Sequence, residues 1–432
     1  MRLILIELNE INFDAVNHYL NKGIKLPGFK QIIDSGLLTT YAEQEYKNLE
    51  PWIQWPSVHT GKTYEEHQVF RLGDFVNSSH KQIFQKIEEA GFTVGAISPM
   101  NASNDLTSPS YFIPDPWTQT PSDGSFLSKS ITSAVSQAVN DNSQSKLTFN
   151  SISKLAIAFF LLVNPFRYFF LIKYALLSIR KPWRKALFLD LFLHEIHKTL
   201  FLRKNTQFST IFLNAGAHIQ HHYFYNSSFT KSPLLKNPNW YINEAEDPFL
   251  EMLKIYDYII QDSLKMSDAE MIISTGLSQK PFTELKFYYR LKDHKKFLSD
   301  LEINFLSVVP RMTRDFLIKF DSVEDAKIAE IKLSKVLVSD GIKLFDEIDN
   351  RGKDLFVVLT YPNEINQDSY IYEGEWTSKL IDYVTFVAIK NGEHQSKGYA
   401  YFSDNIKENA PLDGTHVSNI HNSILDSFSI KY

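Results

Sequence analysis

Four stretches of the chain carry polar groups that a buried core would not choose. They are Glu7-Leu8-Asn9-Glu10, the run Glu50 to Gly61, Asn214 to His222, and Asp413 to His416. The sharpest spacing is Asn214-Ala215-Gly216-Ala217-His218-Ile219-Gln220-His221-His222. Asn214 follows an apolar run and His218 comes four residues later, so a tight turn aims both at one point. Imidazole and a side-chain oxygen at that spacing suit Zn or Mn. Gly216 and Ala217 leave room for close approach, and His221 and His222 fall one turn behind His218, where supporting contacts to a metal ligand are made. Singly, each stretch reads equally well as a cap or a hydrogen-bonded core histidine. Together, three of the four bracket strand ends as an active-site rim does.

Two further groupings suit an anionic or sugar ligand. Arg290 lies within Phe287-Tyr288-Tyr289-Arg290-Leu291-Lys292, and Arg311 and Arg314 follow Pro310. Guanidinium forks match phosphate or carboxylate oxygens, and tyrosine rings suit sugars or bases. The other reading is solvated surface charge. Trp52, Gln54 and Trp55 form either a sugar platform or core.

The elements that must hold these groups alternate in the α/β manner. Leu3–Leu8 is a short apolar run of the central parallel type. Helical spacing follows over 13–22 and 29–35, with Gly36 as a stop. A helix over 83–90 and a strand over 91–97 come next, then a Pro/Ser/Asn/Asp-rich loop over 101–124. The pattern resumes with strands at 210–213 and 270–274 around a helix over 249–264. A separable block, 284–375, carries strands at 303–309 and 355–361 and a helix at 322–336. Strands at 384–390 and 398–402 and a final helix close the chain. The pattern predicts a doubly wound sheet with functional groups just past its strand ends.

Residues 151–203 differ. Ala156 to Val163 and Tyr168 to Ile172 are apolar and interleaved with Arg167, Lys173, Arg180, Lys181, Arg184 and Lys185. That composition suits a helix lying in a membrane interface or a helical insertion packed on the core.

Composition bounds the rest. The chain has 432 residues, 44% hydrophobic and 22% charged, which is a globular balance. A net charge of −5 gives no reason to expect nucleic acid. With no cysteine, thiolate metal sites and cysteine nucleophiles are excluded. Leu3-Ile4-Leu5-Ile6 is too short for a signal-peptide core and meets Glu7 at once. No apolar run reaches the roughly 20 residues of a spanning helix. A cytoplasmic protein is expected, with peripheral contact at the inner membrane as the extension of the basic-apolar reading.

In the order of its pieces the chain resembles the alkaline phosphatase superfamily, particularly its sulfatase-like and type I phosphodiesterase/nucleotide pyrophosphatase members. Those enzymes open on a strand ending in an acidic metal ligand, here Ile6-Glu7-Leu8-Asn9-Glu10. A loop ending in Thr-Gly follows, here Thr60-Gly61, then a helix-turn carrying His, here within Tyr64-Glu65-Glu66-His67. Asn214 and His218 match an Asp-x-x-x-His motif, Tyr256-Asp257 approximates a Tyr-x-x-x-Asp helix, and Gly414-Thr415-His416 matches a final Gly-x-His. The resemblance implies an alkaline-phosphatase-like core over 1–125, 205–283 and 376–432. It leaves 126–204 as a helical, basic-apolar insertion and 284–375 as an α+β cap.

The departures shape the expected chemistry. The family's nucleophilic Thr or Ser falls at Pro51, its first Asp near Asn9, the Asp of Asp-x-x-x-His at Asn214, and a later Asp-His pair at Thr275 and Gly276. The resemblance therefore implies metal ligands Asn9, Asn214, His218 and His416, holding one divalent metal (Zn or Mn) or none. Glu7, Glu50, His59 and His218 are the expected catalytic groups, with Glu7 or Glu50 as general base. Gln54, Trp55, Thr60, His222, Arg290, Arg311 and Arg314 are expected to contact substrate. Without a hydroxyl at Pro51, direct displacement replaces a covalent intermediate. The expected activity is hydrolysis or transfer of a phosphoryl, sulfuryl or related group on an anionic saccharide precursor or nucleotide-linked molecule. Its setting would be surface polysaccharide assembly at the inner membrane face. The competing expectations are a catalytically retired binding protein and a metal-independent glycosyl-type transferase.

Overall fold

The structure, a computed structural model, describes residues 1–140, 148–311 and 314–431. Residues 141–147, inside the expected helical insertion, and 312–313, between Arg311 and Arg314, lie outside the described residues. The chain divides into two compact units. The first is Met1–Lys231, Glu244–Pro281 and Gly392–Tyr432; the second is Ser232–Asn243 with Phe282–Asn391.

The first unit builds β1 (Leu3–Leu8), β2 (Leu38–Tyr41), β3 (Val94–Ile97), β4 (Tyr111–Ile113), β5 (Phe208–Leu213) and β6 (Glu270–Ser274). The chain leaves it along β7 (Ser278–Leu291). The second unit holds β8 (Ser307–Pro310), β9 (Asp315–Lys319), β10 (Leu337–Val338), β11 (Glu347–Asn350), β12 (Asp354–Val358), β13 (Tyr370–Glu373) and β14 (Trp376–Lys379). The chain returns along β15 (Val384–Gln395) to β16 (Lys397–Phe402) and β17 (Thr415–His416).

The central sheet is mixed α/β in kind, with order β17-β2-β16-β6-β1-β5-β3-β4. From β4 through β6 all neighbours are parallel, while β16 runs antiparallel to both β6 and β2. β1 is buried at every residue. Its sequence is a continuous apolar run rather than an alternation because both faces of a central parallel strand are covered. β5 and β6 flank β1 on opposite sides, so the chain switches direction across the sheet at β1, where α/β folds bind ligands. β4 corrects the expected loop over 101–124. Three strand residues among prolines and serines give no period to read, and packing places them: Tyr111 lies over Gly95, where a Cβ would come within 2.3 Å of the ring.

The helix Pro51–Thr60 is buried along nearly its whole length. Pro51 opens it at the first position, where a missing N–H costs nothing. Pro56 sits inside it and frees the Trp52 carbonyl four residues back. Asn101 Nδ2 takes that carbonyl at 2.8 Å. Gly61 ends the helix at φ 74°.

Residues 149–203 form the helices Phe149–Leu162, Tyr168–Arg180 and Arg184–Arg203 within the first unit. Among the described residues no single helix is long and apolar enough to cross a membrane, and the first two are bent by 119° at their junction. In the second unit, β11-β12-β9-β8 and β10-β13-β14 form two antiparallel sheets, with Phe297, Phe316 and Phe345 packed edge to face.

Beneath the strand ends lies a sealed hydrogen-bonded pair. Glu7 Oε1 accepts from Thr210 Oγ1 at 2.6 Å and lies 3.0 Å from His59 Nε2, with both side chains fully buried. These two groups, expected to be catalytic, are therefore core: a strand-end residue whose side chain points into the sheet's covered face meets helix, not solvent. Glu7→Ala leaves the buried His59 imidazole and Thr210 hydroxyl without their acceptor and should cost about 1–3 kcal/mol. Denaturant unfolding measures it, and a loss below about 1 kcal/mol would place the pair near water.

Candidate metal centre at the strand ends

β1, β5 and β6 end side by side, and the turns after them interlock. Asn9 Nδ2 donates to Asn214 Oδ1 at 2.8 Å, tying the end of β1 to the end of β5. Glu10 N donates to the Thr275 carbonyl at 3.1 Å, tying it to the end of β6. Between them Glu10 turns left-handed at φ 63°, a conformation unfavourable for a residue with a Cβ and characteristic of functional sites when neighbours enforce it. Those neighbours are Gln220 Nε2 and Gln279 N, which donate to the Glu10 carbonyl at 2.8 and 3.2 Å.

The turn delivers the Glu10 carboxylate to two imidazoles. Glu10 Oε2 lies 3.1 Å from His394 Nε2 and 3.2 Å from His221 Nε2, and the two nitrogens are 3.3 Å apart. Three ligands on a tetrahedral zinc with bonds near 2.0–2.1 Å stand about 3.3–3.4 Å from one another. The triangle therefore fits a divalent cation, and one carboxylate with two imidazoles is a three-ligand set that leaves a fourth position open. Surrounding groups fix the ligands. Asn9 Nδ2 donates to Glu10 Oε1 at 3.1 Å, Gln279 Nε2 donates to Oε2, and Glu50 Oε2 stands 3.6 Å from His394 Nδ1. The Glu50 carboxylate behind the His394 ring raises its basicity through charge. Gly392, two residues before His394, is required here, since a Cβ would lie 2.0 Å from Gln279 Oε1.

Burial of Glu10 works to raise its pKa, but His394 and His221 outweigh that and hold the carboxyl well below the usual range. Burial opposes charge on His394, and Glu10 and then Glu50 overcome it, raising the imidazole to about 9. His218 and His222, with rings 4.7 Å apart, are pushed the other way by burial and by neighbouring imidazoles, His218 to about 4. Both are neutral at pH 7.

The helix Ala215–Tyr223 carrying these histidines is anchored by a residue without a sequence signal. Asp190, on the helix Arg184–Arg203, accepts from Ala215 N at 2.8 Å and Tyr256 OH at 2.7 Å. Burial raises its pKa to about 6. A second group, His194, Glu195 and Asp262, also offers ligand atoms, but Lys198 Nζ at 2.7 Å and Arg167 at 3.5 Å already neutralise Asp262.

Several expected site residues lie elsewhere. β17, which carries His416, is five places from β5 in the sheet, on the order of 24 Å at about 4.8 Å per strand. His416 instead faces Glu43 and Ser418 and does not join Asn214 and His218. The chain holds a second Gly-x-His, Gly392-Glu393-His394, and this one reaches the site. Asn9 is a brace rather than a ligand, because its Oδ1 accepts from Trp55 Nε1 at 2.8 Å. Trp55 and Gln54 are fully buried, and Gln54 Nε2 donates to the Asn48 carbonyl at 2.9 Å. Thr60 Oγ1 donates to the Pro56 carbonyl at 2.7 Å. These three are interior to the first unit rather than a substrate surface. Arg290, Arg311 and Arg314 belong to the second unit, where Arg314 stacks 4.3 Å above the Tyr288 ring. Asn214, Glu50, His218 and His222 stand at or beside the strand-end turns.

No protein-family profile matches the chain, and no curated protein matches its sequence. Solved structures similar to it include phosphonoacetate hydrolase from Sinorhizobium meliloti 1021, at 11% identity and TM-score 0.42, covering 98% of this chain and 95% of that one. Murine ectonucleotide pyrophosphatase/phosphodiesterase 5 is 10% identical at TM-score 0.42, covering 100% and 96%. The alkaline phosphatase of the Antarctic bacterium TAB5 is 8% identical at TM-score 0.42, covering 100% and 99%. Likeness at this level lies in architecture and assigns no chemistry.

The Glu10–His394 pair has a pH signature in chelator-treated protein. The folded state keeps a proton on His394 that the unfolded chain releases above pH about 6.5. The pair's stabilisation is complete below that pH and lost as pH rises to about 9, a change on the order of 3 kcal/mol. Thermal midpoints should fall across that window and His394→Gln should flatten the curve; parallel curves would disprove the pair.

Proposed function

We propose that the chain is a metal-assisted hydrolase or transferase acting on phosphoryl or related anionic groups by direct displacement. One observation carries this reading: Glu10 Oε2, His221 Nε2 and His394 Nε2 form a triangle with sides of 3.1, 3.2 and 3.3 Å at the strand ends. A divalent cation held there supplies Lewis-acid charge at a phosphoryl oxygen and eases deprotonation of water.

The chain's own residues do the rest. Glu50 adds negative charge beside His394 Nδ1, and Asn9 and Gln279 fix the Glu10 carboxylate. His218 and His222, held neutral by burial, bring no positive charge for an anion clamp. Pro51, at the start of its helix, brings no hydroxyl to the site. Ser57 is sealed inside, hydrogen-bonded to His67 Nε2 at 3.0 Å and to the Ile53 carbonyl. The attacking group is therefore water or an acceptor hydroxyl rather than a side chain of this helix. Within this class the narrower proposal is a phosphate-bearing saccharide precursor or nucleotide-linked donor.

The test is metal content by mass spectrometry, together with turnover of aryl phosphate mono- and diesters in Zn or Mn. Glu10→Gln, His221→Ala and His394→Ala should lose stoichiometric metal and at least about 10³ in rate. Ser57→Ala and His416→Ala should stay within about threefold. Stoichiometric metal without turnover on any phosphoester would replace the enzyme with a binding protein, and full activity in His394→Ala would remove the site itself.

A further inference from the structure

Independently of the metal centre, the helix Tyr168–Arg180 carries an apolar face that none of the described residues covers. Phe169, Ile172, Leu176 and Ile179 recur at intervals of three and four, one face of a helix. All four are exposed, Phe169 to 81% and Ile179 to 77%. The opposite face is the packed one: Leu171 is fully buried, and the Phe170 ring lies 5.2 Å from Tyr258. Just ahead, at the bend joining this helix to Phe149–Leu162, Phe166 is 95% exposed and Phe160 64%. Isolated exposed apolar residues are ordinary; an aligned, aromatic-rich row marks a docking surface.

The charge beside this row selects the partner. From Thr148 to Leu189 the chain has seven Lys or Arg and no Asp or Glu. Arg167, Lys181 and Arg184 turn to carboxylates of the packed helices and loops, Asp262, Glu246 and Glu251. Lys173, Arg180 and Lys185 are exposed, and among the described residues no carboxylate pairs with them. A protein partner or second copy would have to supply both the apolar counterface and the anions. An anionic bilayer surface offers acyl chains and phosphates in that layering. The helix by itself is too short to span: it has 13 residues, about 20 Å against about 30 Å of hydrocarbon, and the bend of 119° before it suits a segment lying along the interface.

We infer that the exposed face of Phe166–Ile179 is a peripheral membrane anchor, lying in the interface of an anionic bilayer with its cations at the phosphates. Flotation of the full chain tests this with vesicles of phosphatidylcholine alone or with added phosphatidylglycerol. The chain should float with the anionic vesicles and be released at about 0.5 M salt. Lys173→Ala/Arg180→Ala should weaken binding roughly 25-fold, about fivefold per cation. Phe166→Ser/Phe169→Ser/Ile179→Ser should weaken it at least about a hundredfold, with unchanged circular dichroism and melting, since these side chains are exposed. Flotation unaltered in the triple variant would overturn the inference. So would absence of flotation, whether the chain stays monomeric or forms a dimer that the triple variant dissociates.

Discussion

The site turns on one carboxylate held in one unfavourable backbone conformation. Glu10 is buried, and an isolated buried carboxylate would neutralise itself. It stays ionised because two imidazoles converge on a single oxygen while amides of Asn9 and Gln279 serve the carboxyl as well. Those imidazoles come from distant parts of the chain, His221 from the helix after β5 and His394 from β15. The left-handed turn at Glu10 is thus the point at which three chain segments meet, and its strain is offset by the charge it concentrates.

The parallel core explains why they meet there. With β1 between β5 and β6, three strand ends open onto one crevice, and the turns that follow must satisfy their own backbone groups before anything else can bind. Asn9 to Asn214, Glu10 to Thr275 and Gln220 to Glu10 do this. Three positions earlier, the Glu7 side chain points into the covered layer and is lost to chemistry. The end of β1 and the left-handed turn after it separate a core carboxylate from a site carboxylate.

That distinction shows what the sequence carried and what it concealed. The strands at 3–8 and 270–274 and the strand-end crevice were legible, because long apolar runs and their spacing are local properties. The stretch Asn214 to His222 was legible as a histidine cluster, yet which imidazole faces outward depends on how Asp190 and Tyr256 seat the helix, and neither has a local signature there. His394 was legible in form, as a second Gly-x-His. Choosing it over Gly414-Thr415-His416 needs strand order, a long-range property absent from any window. Trp55 and Gln54 looked like a ligand platform because aromatic pairs in loops are uncommon; they proved to be helix residues, since Pro51 and Pro56 disguised a helix as a loop.

The proline that opens that helix has a consequence for handedness at phosphorus. A side-chain nucleophile forces two successive in-line displacements, and the configuration of the transferred phosphoryl group is restored. With Pro51 at the helix start and Ser57 sealed away, the proposed displacement happens once. A chiral phosphorothioate substrate would then leave this site with its configuration at phosphorus inverted, the stereochemical opposite of a double displacement.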